Sequence, residues 1–174
     1  MELIKFKINL TILFLFALLI NFTGCNYSFT GASIPPHLKT VAIPILEDRS
    51  GSGIFRLKED LTNVLTQKFI EDNSLQVTDK ANANCIVEGV IVSATDSPQQ
   101  ISGGEQIKTN RFAINVKVTF RDLVNKKVIF EKTFSNYKDY ATDSGNIQQS
   151  RQDAITEATK LVAEDILLGV VSNW

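Results

Sequence analysis

Apolar and polar positions alternate most cleanly over residues 111–121. There Phe112, Ile114, Val116, Val118 and Phe120 point one way, and Ala113, Asn115, Lys117, Thr119 and Arg121 point the other. A period of two is the pattern of a strand with one buried and one solvated face. A turn near Asn125-Lys126 leads on to Val128, Phe130 and Phe134, so the two segments predict an antiparallel hairpin with a polar outer face. Residues 39–46, KTVAIPIL, place Val41, Ile43 and Ile45 on one face. Pro44 has no N–H to give to a ladder, which puts this strand at an edge or near its own end. Residues 85–95, CIVEGVIVSAT, are apolar on both faces and read as a central strand. A short strand is expected over 75–78.

Two stretches carry the longer helical period. Over 54–72, Ile54, Leu57, Leu61, Val64, Leu65, Phe69 and Ile70 form one stripe, and the helix is expected to end at Asn73. Asn146 predicts a helix cap with Gln149 as its capping-box partner. Behind it Ile147, Ala154, Ile155, Ala158, Leu161, Val162, Ile166 and Val170 form a stripe to about Val171, opposite Arg151, Glu157, Lys160 and Glu164. The order of strand, helix, several strands and helix predicts an α+β two-layer sandwich. In it a mostly antiparallel or mixed sheet of about four strands packs against two helices. Residues 96–110, with Pro98 and Gly103-Gly104, and the polar residues 137–146, with Tyr137 and Tyr140, are expected to be loops. Loops held on a rigid scaffold are where partner contacts concentrate.

The amino terminus has a different pattern. Lys5 and Lys7 precede an apolar run from Ile8 to Phe22, too short and too polar at its ends for a membrane span. Phe22-Thr23-Gly24-Cys25 then resembles a lipobox. Residues 1–24 are therefore expected to be a lipoprotein signal peptide, with Cys25 the lipidated first residue that anchors the chain to a membrane. The alternative is an ordinary secretory signal that happens to end near a cysteine. Residues 25–38, rich in Asn, Ser, Thr, Gly and Pro, read as a tether, and 39–174 as a single α+β domain.

Charge and cysteine content narrow the function classes. The sequence holds 18 basic and 19 acidic residues. Without Glu2, Lys5 and Lys7, 16 and 18 remain, a net charge of about −2, which argues against a nucleic-acid partner. With Cys25 given to lipid, Cys85 stands alone in an apolar run and reads as a small buried hydrophobe. His37 is the one histidine. No nucleophile elbow or phosphate loop is present, and Gly51-Ser52-Gly53 reads as a plain turn. Glu47 with Asp48, and Asp139 with Asp143, are paired acids without a glycine-turned calcium loop. No enzyme, metal or cofactor is expected.

The run from Cys25 to His37, CNYSFTGASIPPH, followed by Lys39-Thr40-Val41-Ala42-Ile43-Pro44, resembles the start of the LPS-assembly lipoproteins of the LptE family, in their Bacteroidetes-like form. Asn110-Arg111-Phe112 and the closing helix fit the same pattern. The resemblance implies a non-enzymatic outer-membrane lipoprotein, its domain facing the periplasm or a barrel lumen. Such a protein plugs the LptD β-barrel and supports lipopolysaccharide delivery to the outer leaflet. Lys108, Arg111, Lys117, Arg121, Lys126 and Lys127 are candidates for pairing with lipopolysaccharide phosphates, because cations bind phosphate. A rival resemblance rests on Val41-Ala42-Ile43-Pro44-Ile45 followed by Glu47-Asp48-Arg49-Ser50-Gly51. It points to lipoproteins of secretion channels or activators of peptidoglycan synthases.

Overall fold

The structure, a computed structural model, describes residues 34–99, 109–143 and 145–172. The expected signal peptide, Cys25, the first part of the tether and Lys108 lie outside these residues. In chain order the elements are β1 (Thr40–Ala42), β2 (Glu47–Asp48), α1 (Leu57–Asp72), β3 (Gln76–Val77), β4 (Cys85–Pro98), β5 (Thr109–Asp122), β6 (Lys127–Ala141) and α2 (Ile147–Val171).

They build one mixed sheet in the order β3-β1-β4-β5-β6, with β2 also on β4, under a layer of two helices. The expected α+β sandwich is therefore present, with six strands in place of about four. β4, β5 and β6 form a long antiparallel meander. β1 and β2 both run parallel to β4 along its other side, Val41 opposite Cys85 and Glu47 opposite Val90. β1 is the part of the strand expected over 39–46 that forms; it ends before Pro44, and β2 follows beyond the expected range. Past the break the side chains change face. Ile45 is 67% exposed while Leu46 is buried, and the Leu46 N–H donates to the Thr62 hydroxyl of α1 at 3.0 Å instead of to a strand.

The face chosen for β5 is the one observed. Phe112, Ile114, Val116, Val118 and Phe120 are all fully buried, in one core with Val87 and Ile91 of β4, Leu61 and Phe69 of α1, and Val162 and Ile166 of α2. The helices run side by side in the same direction: Lys68 pairs with Glu164 (3.1 Å), and Leu57 shares a groove with Ile155. α1 begins three residues later than expected, because Arg56 takes a left-handed conformation (φ 60°). It ends at Asn73, as the pattern predicts. Asn146 caps α2 by accepting from the Gln149 N–H at 3.2 Å. The Gln149 side chain turns instead to Asp153, so the expected box is one-sided.

Two loop expectations need correction. Of residues 96–110, 96–98 belong to β4 and 109–110 to β5. Residues 137–141 are not loop but the last part of β6, paired with Thr109–Ala113. The connection to α2 is only residues 142–146.

The antiparallel registers sort the connections into two ends. The entering segment 34–39, the β5–β6 turn at 123–126 and the last turn of α2 lie at one end. The loop before α1, the stems of the β4–β5 connection at Gln99 and Thr109, and the residues just before α2 lie at the other. β4, at 14 residues, spans about 46 Å between them.

Candidate functional site

The helices cover one face of the sheet and leave the other open. On the meander this open face is a set of polar rows across the strands. Arg111 of β5 grips Asp139 of β6 through two hydrogen bonds of 2.7 and 2.9 Å, and its guanidinium lies 3.8 Å from the centre of the Tyr137 ring. Asn115 bonds Ser93 of β4 at 2.6 Å and receives the Ser135 hydroxyl from β6. Lys117 pairs with Glu131 at 2.7 Å, and Arg121 approaches Glu88 at 3.4 Å. Hydrogen bonding to Lys117 holds the Glu131 carboxyl below its ordinary range. Hydrogen bonding to Arg111 does the same for Asp139. Beside β4 the face forms a trough of about 680 Å³, with Pro44, Ile45, Val90 and Val92 as its apolar wall and the Lys117, Arg121, Glu88 and Glu131 charges as its floor.

This geometry sorts the candidate cations. Arg111, Lys117 and Arg121 share the open face, but each is paired with a carboxylate. Arg111 and Arg121, ten residues apart on one strand, stand about 33 Å apart. They are not one compact phosphate site. Lys126, with φ 53°, in the exposed β5–β6 turn and Lys127, the first residue of β6, lie side by side with no ion pair among the described residues. The paired acids noted in the sequence are occupied locally. Asp48 accepts from Ser50 and Glu47 from Arg49.

Two polar clusters escaped the sequence reading. At the entering end, His37 Nε2 lies 2.7 Å from Asp122 Oδ2. Asp122 also accepts from the Asn125 main chain (2.9 Å) and side chain (2.7 Å). With Ile34 against the core and Leu38 buried within it, this ties the entering segment to the domain. Burial raises the Asp122 pKa, but the hydrogen bonds from Asn125 and His37 outweigh it and bring the pKa down to about 2. A folded pKa below the ordinary value of 3.8 gives stability that is complete above about pH 4 and lost as the pH falls through about 2. We expect Asp122→Asn to lower the melting temperature at neutral pH, by roughly 1–3 kcal/mol of stability, and to flatten the acid limb between pH 4 and 2. Melting curves across that range check both; an unchanged acid limb would assign the acid sensitivity to other carboxylates.

At the other end, Asp96 of β4 takes the Arg151 guanidinium of α2 (2.7 Å) and the Tyr140 hydroxyl of β6 (2.9 Å), and Asn110 donates to the same hydroxyl (3.3 Å). This cluster fixes both stems of the β4–β5 connection to the start of α2. No helix among the described residues is long and apolar enough to cross a membrane.

A family model described as LptE, lipopolysaccharide-assembly, matches residues 38–168, three quarters of the sequence. The chain belongs to the LptE family. The match begins at buried Leu38 and takes in every strand and both helices, ending three residues before α2 does. Solved structures of the same fold include three bacterial proteins. The hypothetical protein CT253 from Chlamydia trachomatis has a TM-score of 0.59 at 12% identity, covering 76% of this chain and 95% of that one. The rare lipoprotein B from Shewanella oneidensis has 0.52 at 15%, covering 75% and 94%. The PelC dodecamer from Paraburkholderia phytofirmans has 0.51 at 14%, covering 82% and 95%. At these identities the likeness is one of fold alone. A comparison with curated proteins found no match.

Proposed function

We propose that the mature chain begins at Cys25 after removal of residues 1–24, carries its lipid there, and acts as an outer-membrane lipoprotein. In this reading the domain binds and plugs an LptD-type β-barrel and supports lipopolysaccharide assembly at the cell surface, with no catalytic step. The observation that carries it is the LptE family match over residues 38–168. The open face of the meander supports it. Barrel interiors are polar, and this face presents charges already matched in pairs together with amides and hydroxyls bonded to one another across the strands. Such a surface can enter a polar lumen without burying an unpaired charge. Lipopolysaccharide phosphates are assigned first to Lys126 and Lys127, which have no carboxylate to give up. Arg111, Lys117 and Arg121 can contribute only by exchanging a carboxylate for a phosphate, and Lys108 is kept as a sixth candidate on sequence alone.

The test is co-purification of the lipidated protein from detergent-solubilised outer membrane, together with a clean deletion. We expect a large β-barrel partner in the first, and reduced surface lipopolysaccharide with misassembled barrel in the second. A deletion strain with normal surface lipopolysaccharide and full barrel recovery would overturn the reading. Recovery of a peptidoglycan synthase, or of a homomeric ring in a secretion channel, would put one of the rival lipoprotein roles in its place.

A further inference from the structure

The entering segment and the β5–β6 turn are one mechanical unit. The registers set Val41 of β1 opposite Cys85 of β4, Cys85 opposite Asp122 of β5, and Asp122 opposite Lys127 of β6. One step outward, the Leu123 N–H donates to the Asn84 carbonyl at 2.8 Å, and the Asn84 side chain accepts from the Lys39 N–H at 3.1 Å. His37 lies 2.7 Å from Asp122 and 3.0 Å from the Asn125 amide. Lys39, Val124, Lys126 and Lys127 therefore share the tip of the sheet at which the chain enters.

This tip has a composition of its own. Lys39, Lys126 and Lys127 are exposed, and none has an ion pair among the described residues. Beside them Val124 is 54% exposed and Val128 49%. The acids nearby are already engaged. Asp122 accepts from Asn125, and Asp79 accepts from the Ala81 N–H and the Asn82 amide. On the open face, by contrast, Arg111, Lys117 and Arg121 each have a carboxylate. Unmatched cations beside exposed apolar side chains fit a surface that is anionic outside and apolar just beneath. A bilayer containing anionic lipids is such a surface.

We propose that the tip formed by Lys39, Val124, Lys126 and Lys127 docks the domain on the anionic phospholipid surface that holds its lipid anchor. The inference rests on lipidation at Cys25. Cys25 precedes Ile34 by nine residues, at most about 30 Å of chain. That is less than the roughly 46 Å that β4 spans between the two ends, so the end that meets the bilayer is the one where the chain enters. There the lysine ammonium groups pair with lipid phosphates, and Val124 reaches headgroup depth. Docked in this way, the strands of the meander stand up from the membrane. The open face assigned to the barrel stays uncovered, and the unpartnered lipoprotein is held in one orientation for capture.

The test places the full lipidated chain in vesicles of phosphatidylcholine, with and without phosphatidylglycerol. A fluorophore is carried on Val124→Cys or on Ser97→Cys; Cys25 is acylated and Cys85 is buried. Lipid-borne quenchers at headgroup depth are expected to quench the probe at 124 in anionic vesicles. The probe at 97, about 40 Å away along the sheet, should be quenched far less. Lys126→Asn combined with Lys127→Gln is expected to lower the docked-to-free ratio about fivefold per lysine, with the melting temperature unchanged. Asn accepts the left-handed backbone at position 126. Added salt should act in the same direction. Equal quenching at 124 and 97, quenching as strong in pure phosphatidylcholine, or no response to the double variant overturns the proposal. So does quenching at 124 that needs lipopolysaccharide in the vesicle and does not arise with phosphatidylglycerol. Flotation separates the two readings. A chain that does not float with neutral vesicles refutes lipidation at Cys25 and this proposal with it, whereas a floating chain with an unquenched probe at 124 refutes the docking alone.

Discussion

Phe120→Ala is expected to lower the stability of the domain by about 3–5 kcal/mol, while Lys117→Ala, three positions away on the same strand, changes it by about 0–1 kcal/mol. Phe120 is fully buried and packs against Phe130 of the neighbouring strand with ring centres 5.5 Å apart. Truncation removes a large apolar surface and leaves a cavity that a sheet clamped by two helices cannot close. Lys117 stands on the open face, its ammonium paired with Glu131 in water. Loss of one exposed ion pair changes little. Denaturant melts of the two variants decide the matter. Equal midpoints would mean that the buried and open faces of β5 are exchanged.

The second large effect is expected at Gly169 in α2. By helix propensity alone, Gly→Ala stabilises a helix interior by about 1 kcal/mol. Here a Cβ would stand 2.5 Å from Phe134 Cζ and 2.7 Å from Cε1. The ring is buried between α2 and the sheet and cannot swing away freely, so helix and strand must separate. Gly169→Ala is therefore expected to destabilise the domain by about 1–3 kcal/mol net. Adding Phe134→Leu, which removes the ring atoms in question, should recover part of that loss, a coupling that a double-mutant cycle measures. A rise in melting temperature for Gly169→Ala alone would contradict the close approach of α2 to β6.

These two sites also show what the sequence makes legible. The buried face of β5 can be read directly, because strict alternation over eleven residues leaves one choice of face. The helix stripes are legible for the same reason, with misses at their margins. Ile70 and Leu161 lie about 100° or more from the centre of the core-facing side and remain exposed. Residues 137–141 read as loop because an edge strand with one solvated face can be almost wholly polar; only Tyr140 turns inward there. The face shared by Arg111, Lys117 and Arg121 follows from parity alone. Their neutralisation by Asp139, Glu131 and Glu88 requires the strand registers, which no local pattern contains. The same holds for His37 and Asp122, 85 residues apart.

Cys85 has a consequence for how this chain ages. Its thiol is fully buried, bonded to the Thr40 carbonyl at 3.3 Å, and raised to about 12 by burial and then by the nearby Asp122 charge. Thiolate, not thiol, is the nucleophile that attacks oxidants and disulfides, so the folded domain offers them almost nothing. The sulfur becomes reactive only when β1 parts from β4. In an oxidising compartment its chemical state is therefore, for a given exposure to oxidant, a record of how often that seam has opened.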